Sequence, residues 1–516
     1  MPFSEKEIEF IESQGKISNI ALAKAMAVHF NLEGDFSTID NLRRKIKRHK
    51  KNAATLESSE CYAEASQRQL KGSEVYIFTQ EQNQTPLHEG FWENLLAYKE
   101  ARNATLSVIL GRYKNPTTPY KEEERDEWNE TTRPYWDANR HHIHKNLLVL
   151  SDVKISPTAM YPLSGLDHLT SGETLIVGHG KMHMQTHATL TGYHKKTSWT
   201  TGSCTIPNYS DSKAGKKAKG KHKIGFLVVE LDGEYFHIRQ VEADPITGDF
   251  EDLGMRVQGG KVKKKIKPAL GMVCGDSHFG HHNETIDKQN NEICERFKVP
   301  NLVLHDVIDG DSANNHIIKN PIERFKRMKA GKHKIEKELN DCVDWLKGKL
   351  KWNPVIPQAN HNDRFDRILA LDWRQDIDNA MFYFKYSQLA CQGELDQGVL
   401  AYVLNERLPQ IKTLSYIDSF KIGKYEASQH GHHGSNGARG SNRGFHKLGI
   451  PMIIGHTHSP FRADDFFVVG TNTDLLLGYN DKGTSSWAWG NVIINSMGFA
   501  QHILFQPDGR YTTMYD

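Results

Sequence analysis

From residue 268 onward the chain repeats one device: a short apolar run that reads as a strand, ended by acidic, amide or imidazole residues. PALGMVCGDSHFG places Asp276 and His278 after the first run, and NLVLHDVIDGDS places Asp306 and Asp309 after the second. PVIPQANHNDR supplies Asn360 and His361, KYEASQHGHHGSNG supplies His430, His432 and His433, and IPMIIGHTHSP supplies His456 and His458. Functional groups gather at strand C-termini in open α/β sheets. In an extended segment, residues two apart point the same way, so Asp-x-His and His-x-His each let one short segment offer two groups.

Hydrolysis of a phosphodiester needs a nucleophile at neutral pH and charge neutralisation on the attacking and leaving oxygens. Two divalent ions about 3.5–4 Å apart supply both. A carboxylate can bridge such a pair while imidazoles and an Asn carbonyl complete each shell. Mixed His, Asp and Asn donors without thiolate favour Mn²⁺, Fe or Zn²⁺ over Ca²⁺. Two divalent ions, Mn²⁺ first among them, are therefore the expected cofactors.

The order D-x-H, D-x-x-D, N-H, H, G-H-x-H resembles the calcineurin-like metallophosphoesterase superfamily. The resemblance implies two packed β-sheets flanked by helices (α/β/β/α) over residues 266–516. It implies that Asp276, His278 and His458 bind one metal, that Asp306 bridges, and that Asn360, His430 and His456 hold the second. His361 would be the catalytic histidine, acting on the leaving oxygen. Asp309, Asp363, Arg364, His432, His433 and Arg439 would support the ligands or touch the substrate. Two glycines usual in this pattern are replaced, by His305 before Asp306 and by Ala359 before Asn360. The Asp usual after the catalytic His is Asn362, which leaves open which group orients His361.

The rest of the chain divides into three stretches. Residues 1–52 form a helical, helix-turn-helix-like unit: Ser4 with Glu7 is a capping box, Ser18 caps a second helix, and Ser37 and Asp40 open a third. Leu22, Ala25 and Met26 face inward on the second helix, and Ile39, Leu42 and Ile46 on the third. Arg43, Arg44, Lys47 and Arg48 lie largely elsewhere, as a nucleic-acid-binding face requires; a plain helical bundle is the alternative. Residues 53–72 are polar and read as a linker or exposed helix. Residues 73–265 carry strand-like runs at 75–79, 105–113, 147–155, 174–179, 222–231 and 234–241 and a helix at 88–102, hence an α/β domain. Its histidines (His141, His142, His144, His179, His183, His187) match no metal spacing and are expected to be structural.

Composition bounds the function. Lysine plus arginine number 66 against 63 acids, for a net charge of +3, but lysine concentrates at 213–223 and 261–267. Basic runs beside phosphate chemistry point to a polyanionic partner. No apolar run approaches a membrane span, the N-terminus has no signal-peptide core, and the six cysteines lack CxxC spacing. Reduced thiols, a cytoplasmic location and no membrane partner are the expectation, with homo-oligomerisation left open. VYIFTQEQNQTPLHEGFW, GRYKNPT, TTGSCTIPNYSDSKAG and HGHHGSNGARGS also look like large phosphoesterases of tailed phages, and the motifs resemble SbcD-type nucleases. The expected function is a metal-dependent DNase processing phage or host DNA. A protein or nucleotide phosphatase, and a DNA-binding or assembly factor with structural metals, are the competing readings.

Overall fold

The computed structural model describes residues 3–14, 18–32, 35–57, 59–111, 128–478 and 480–515, with the side chains of residue 36 and residues 48–61 outside that description. Arg48 is therefore placed only by its backbone, and GRYKNPT lies outside the described residues after Gly111. The protein is a mixed α/β molecule of several sheets and helices. Among the described residues no helix is long and apolar enough to cross a membrane.

Six strands form one sheet in the order Lys412–Leu414, Pro354–Pro357, Leu302–Leu304, Gly271–Cys274, Gly490–Ile494 and Ala500–Leu504. The first four run parallel and the last two join antiparallel. Alternation along these strands divides the core. Met272, Cys274, Leu302, Leu304 and Ile356 pack against helices Glu284–Arg296, Ile335–Lys347, Ala380–Gln392 and Gly398–Arg407. Val273, Val303, Val355 and Val492 point the other way, onto Tyr425, Ile453 and Phe467 of a second sheet and the adjoining Val469. Each such aliphatic side chain, fully buried, contributes about 1.5–3 kcal/mol. The short helix Asn442–His446 covers part of the second sheet through Phe445, which meets Met452, Ile454 and Phe466.

That second sheet has ten strands, and it crosses the boundary expected near residue 265. Phe461–Ala463 pairs antiparallel with His183–Thr186, Ala463 opposite His183. Strands from 140–200 thus continue a sheet begun by strands from 421–468. A five-stranded sheet (Tyr235–Glu242, Gly225–Asp232, Val75–Gln82, Thr105–Gly111, Trp136–Asp137) packs Tyr76, Phe78, Leu227 and Val229 on this extension. Its opposite face buries Ile77, Phe226 and Val228 against helix Glu89–Ala101. Side chains tie the two regions as well: Arg462 donates to Glu242 at 2.7 Å and Gln501 to Asp252 at 2.9 Å. The composition of the connector gave no hint of this shared sheet, because strand pairing between distant segments leaves no local signature.

At the N-terminus, helices Glu5–Ser13, Asn19–His29 and Phe36–Glu57 enclose Ile11, Leu22, Ala23, Met26, Leu42 and Ile46. Glu7 accepts from the Ser4 backbone N at 2.7 Å, and Ser18 Oγ accepts from Ala21 N at 3.3 Å. The third helix opens on Asp35, whose carboxylate accepts from Thr38 N at 2.9 Å, earlier than the expected Ser37. It runs to Glu57 and is followed by helix Ser59–Ser66, so much of the expected linker is helical.

Candidate metal centre

The polar segments that follow the parallel strands meet in one place. Ser277 N donates to His305 O at 3.0 Å, His278 N to Asp306 O at 2.7 Å and Gly455 N to His430 O at 2.9 Å, so the loops beyond the strand ends remain stitched together. Their backbones are strained: His278, Asp306, His456 and His458 all have left-handed φ, of 42°, 38°, 74° and 56°. Non-glycine residues adopt such values rarely, and they persist where surrounding structure over-determines them, commonly at functional sites. Gly455 has a steric reason to be glycine, since a Cβ there would lie 2.3 Å from Asp276 Oδ1.

Two groups of donor atoms result. In the first, His278 Nε2 and His458 Nε2 lie 3.1 Å apart, and His458 Nε2 lies 2.9 Å from Asp276 Oδ2. In the second, Asn360 Oδ1 lies 3.0 Å from His430 Nε2 and 3.1 Å from His456 Nδ1. Asp306 Oδ2 faces both, 3.7 Å from His278 Nε2 and 3.1 Å from His430 Nε2. Asp276, His278 and His458, and likewise Asp276, Asp306 and His430, place ligand atoms within 4.8 Å of one another, an arrangement able to hold metal ions.

The donor chemistry fits cations. His278 Nδ1 meets Asp309 Oδ1 at 3.0 Å, so its proton sits there and the Nε2 lone pair is left facing His458. Asp276, Asp306 and Asp309 are buried, and buried charge is costly without opposite charge. Asp276 Oδ1 has no hydrogen-bond partner. Burial alone would lower the pKa of His430, yet Asp306 and Asp276 outweigh it and raise it, the mark of a pocket that draws positive charge. Burial and the neighbouring His361 push His278 down to about 4, and burial with His430 does the same to His456.

His361 stands beside the first group, its ring centroid 4.2 Å from that of His278. Its Nδ1 lies 2.9 Å from Asp309 O and 3.2 Å from Asp309 Oδ1. Asp309 therefore orients His361, which answers what the sequence left open. Arg364 donates to Asp309 Oδ2 at 3.0 Å and approaches His361 Nε2 at 3.3 Å. Asp363 faces away, taking a hydrogen bond from Tyr416 OH. His432 also meets Tyr416 OH, at 3.1 Å, and lies half-buried beside His430, while His433 and Arg439 are exposed. Three neighbours were missed from sequence: His305, buried with both ring nitrogens unpartnered, Tyr416, and Trp487, whose ring centroid lies 4.1 Å from that of His458. Tyr416 and Trp487 come from loops without motif spacing; His305 was visible only as a departure from pattern.

Other sequence candidates lie apart from this centre. Arg43 and Arg44 both pair with Asp40, at 2.7 and 2.5 Å, while Lys47 is exposed. His141 meets Asp137 at 2.8 Å, His179 meets Ser156 O at 3.1 Å, and His187 meets Ser198 at 2.6 Å.

These features define a mixed α/β protein with a buried His/Asp/Asn centre. In sequence the chain is similar to Protein A1 of Escherichia phage T5, 27% identical over 459 residues, covering 83% of this chain and 81% of that protein. No protein-family model matches the chain, and no solved structure does.

Proposed function

We propose that the protein is a two-metal phosphodiesterase of the calcineurin-like class, acting on DNA. The observation that carries this reading is the pair of donor groups sharing Asp306 Oδ2, with His361 held alongside by Asp309. Asp276, His278 and His458 would hold one ion and Asn360, His430 and His456 the other, with Asp306 between. Divalent ions there, Mn²⁺ first, would supply Lewis-acid activation of water and neutralise phosphoryl charge. The chain's own part is orientation and proton delivery. Asp309 holds the His361 ring through Nδ1, which leaves Nε2 as the atom that would pass a proton to the leaving oxygen. Arg364, anchored on Asp309, adds positive charge where a phosphate oxygen would approach. Face-to-face packing of two sheets, with helices on the outer face of one, supports the superfamily fold, and similarity to a phage protein supports action in an infected bacterium's cytoplasm.

The test is incubation of the purified protein with plasmid and linear DNA in Mn²⁺, beside His361→Ala and an EDTA control. Cleavage by wild type alone is expected. DNA binding without cleavage, with turnover of a phosphomonoester, would instead promote a phosphatase. Deleting residues 1–52 should weaken DNA cleavage while sparing a small phosphodiester, if the exposed face carrying Lys47 helps to hold DNA.

A further inference from the structure

A cavity of about 590 Å³ opens between the loop at 187–196 and residues 474–478 and 485–489. Its walls include Tyr193, Lys195, Phe236, Leu476 and Trp489. Tyr193 is 71% exposed and Leu476 48%, so apolar and aromatic surface is offered to solvent at the rim. The two loops are joined by reciprocal backbone bonds, Thr189 N to Ser485 O at 3.1 Å and Ser485 N to Thr189 O at 2.9 Å. Lys195 Nζ donates to that same Ser485 carbonyl at 3.0 Å, which places its charge at the wall.

Ser485 links this cavity to the metal centre. Two residues on, at most ~7 Å along an extended chain, Trp487 packs on His458, and Ala488 N donates to His458 O at 3.1 Å. One continuous segment, SSWAWG, therefore has its start on the cavity and its middle on a candidate metal ligand. Aromatic faces beside a lysine form the chemistry that holds single-stranded nucleic acid, with bases stacking and phosphates meeting cations. Among the described residues of the wall the one carboxylate, Glu234, is paired with Lys145.

We propose that this cavity binds a single-stranded DNA segment flanking the scissile phosphate, with a base on Tyr193 and a phosphate near Lys195. The inference rests on the nuclease reading and gives residues 187–196, from the region without assigned chemistry, a part in substrate recognition.

The experiment compares the full-length wild type with Tyr193→Ala, Tyr193→Trp and Lys195→Gln in Mn²⁺. The substrates are a single-stranded oligonucleotide carrying 2-aminopurine and bis(p-nitrophenyl) phosphate. Tyr193→Ala and Lys195→Gln should each raise KM for the oligonucleotide about tenfold, within the range for losing a base–aromatic contact. The small diester should change less than twofold. Tyr193→Trp should keep the low KM and the quenching of 2-aminopurine that Tyr193→Ala loses. An unchanged oligonucleotide KM in both variants, with the wild type cleaving DNA, would overturn the cavity proposal alone. Turnover of the small diester without any DNA cleavage by the wild type would overturn the nuclease reading and the cavity with it.

Discussion

Between His141 and His187 most described imidazoles rest on an ordinary partner: His141 on Asp137, His179 on a carbonyl, His187 on a hydroxyl. At the candidate centre they face one another and share carboxylates, as His278 does with His458 and His430 with Asp306. Both regions are rich in histidine, and both bury much of it. What separates them is where the lone pairs point. In the first, the partner of each of these three rings is an ordinary carboxylate, carbonyl or hydroxyl close by. In the second, lone pairs and carboxylate oxygens converge without enough protons or basic side chains among them, on backbones twisted into left-handed conformations. Clustering of histidine in sequence is thus no sign of a site; convergence with strain is.

The widest test of that contrast is Asp306→Asn against His141→Ala. Asp306 faces both donor groups, so the variant should hold roughly one metal ion or fewer where the wild type holds about two, by elemental analysis after equilibration with Mn²⁺. Phosphodiester turnover should fall about a thousandfold or more, the several kcal/mol that metal charge stabilisation supplies. His141→Ala should change neither. Full metal content together with full turnover in Asp306→Asn would mean that the convergence is structural.

A narrower test separates the donor groups from what holds them. Asp309 touches His278 Nδ1 and His361 Nδ1 with the same oxygen. Asp309→Asn should lower kcat by about 10- to 100-fold, as for loss of a group that orients a ligand. Metal content should stay near that of the wild type once Mn²⁺ is saturating. Unchanged kcat would remove Asp309 from the mechanism and return the orientation of His361 to Arg364.

Much of this centre was legible because it is built locally. Each strand end carries its own polar groups, so Asp276, His278, His456 and His458 could be read directly as candidates, although left-handed turns rather than extended alternation set where they point and send His456 and His458 to different donor groups. The N-terminal unit was legible for a similar reason: Ser4 with Glu7, and the Leu42–Ile46 stripe, act within a few residues. What could not be read depends on distant segments. The pairing of Ala463 with His183, which carries one sheet through the expected boundary, joins residues far apart in the chain. Trp487 and Tyr416 reach the centre from irregular loops, where no periodicity applies. Arg43 and Arg44, read as free for nucleic acid, are drawn to Asp40 one helical turn away; that pairing was available from the spacing and was outweighed by the basic run around it.

The smallest expected effect lies at the seam between the two regions, where Asp464 gathers ordinary partners. Its carboxylate lies 3.3 Å from His183, 3.2 Å from His446 and 3.6 Å from Lys221. Burial alone would raise its pKa, but His183 and His446 hold it well below the usual carboxylate range. A folded pKa below the unfolded one stabilises the fold above about pH 4, and that contribution is lost as pH falls through the folded value. Asp464 also sits at a φ of 58°, which Asn tolerates as well as Asp, so Asp464→Asn removes the charge without straining the backbone. At pH 7 the variant should melt a few degrees below the wild type, as expected for about 1–3 kcal/mol of buried charge-assisted hydrogen bonding. Below about pH 4 the gap should narrow, while Mn²⁺-dependent turnover at pH 7 stays within twofold. A gap that is constant across pH would assign the loss to packing rather than charge. A collapse of turnover would tie the seam to the centre, and the contrast between satisfied and convergent histidines would no longer divide the molecule into a scaffold and a site.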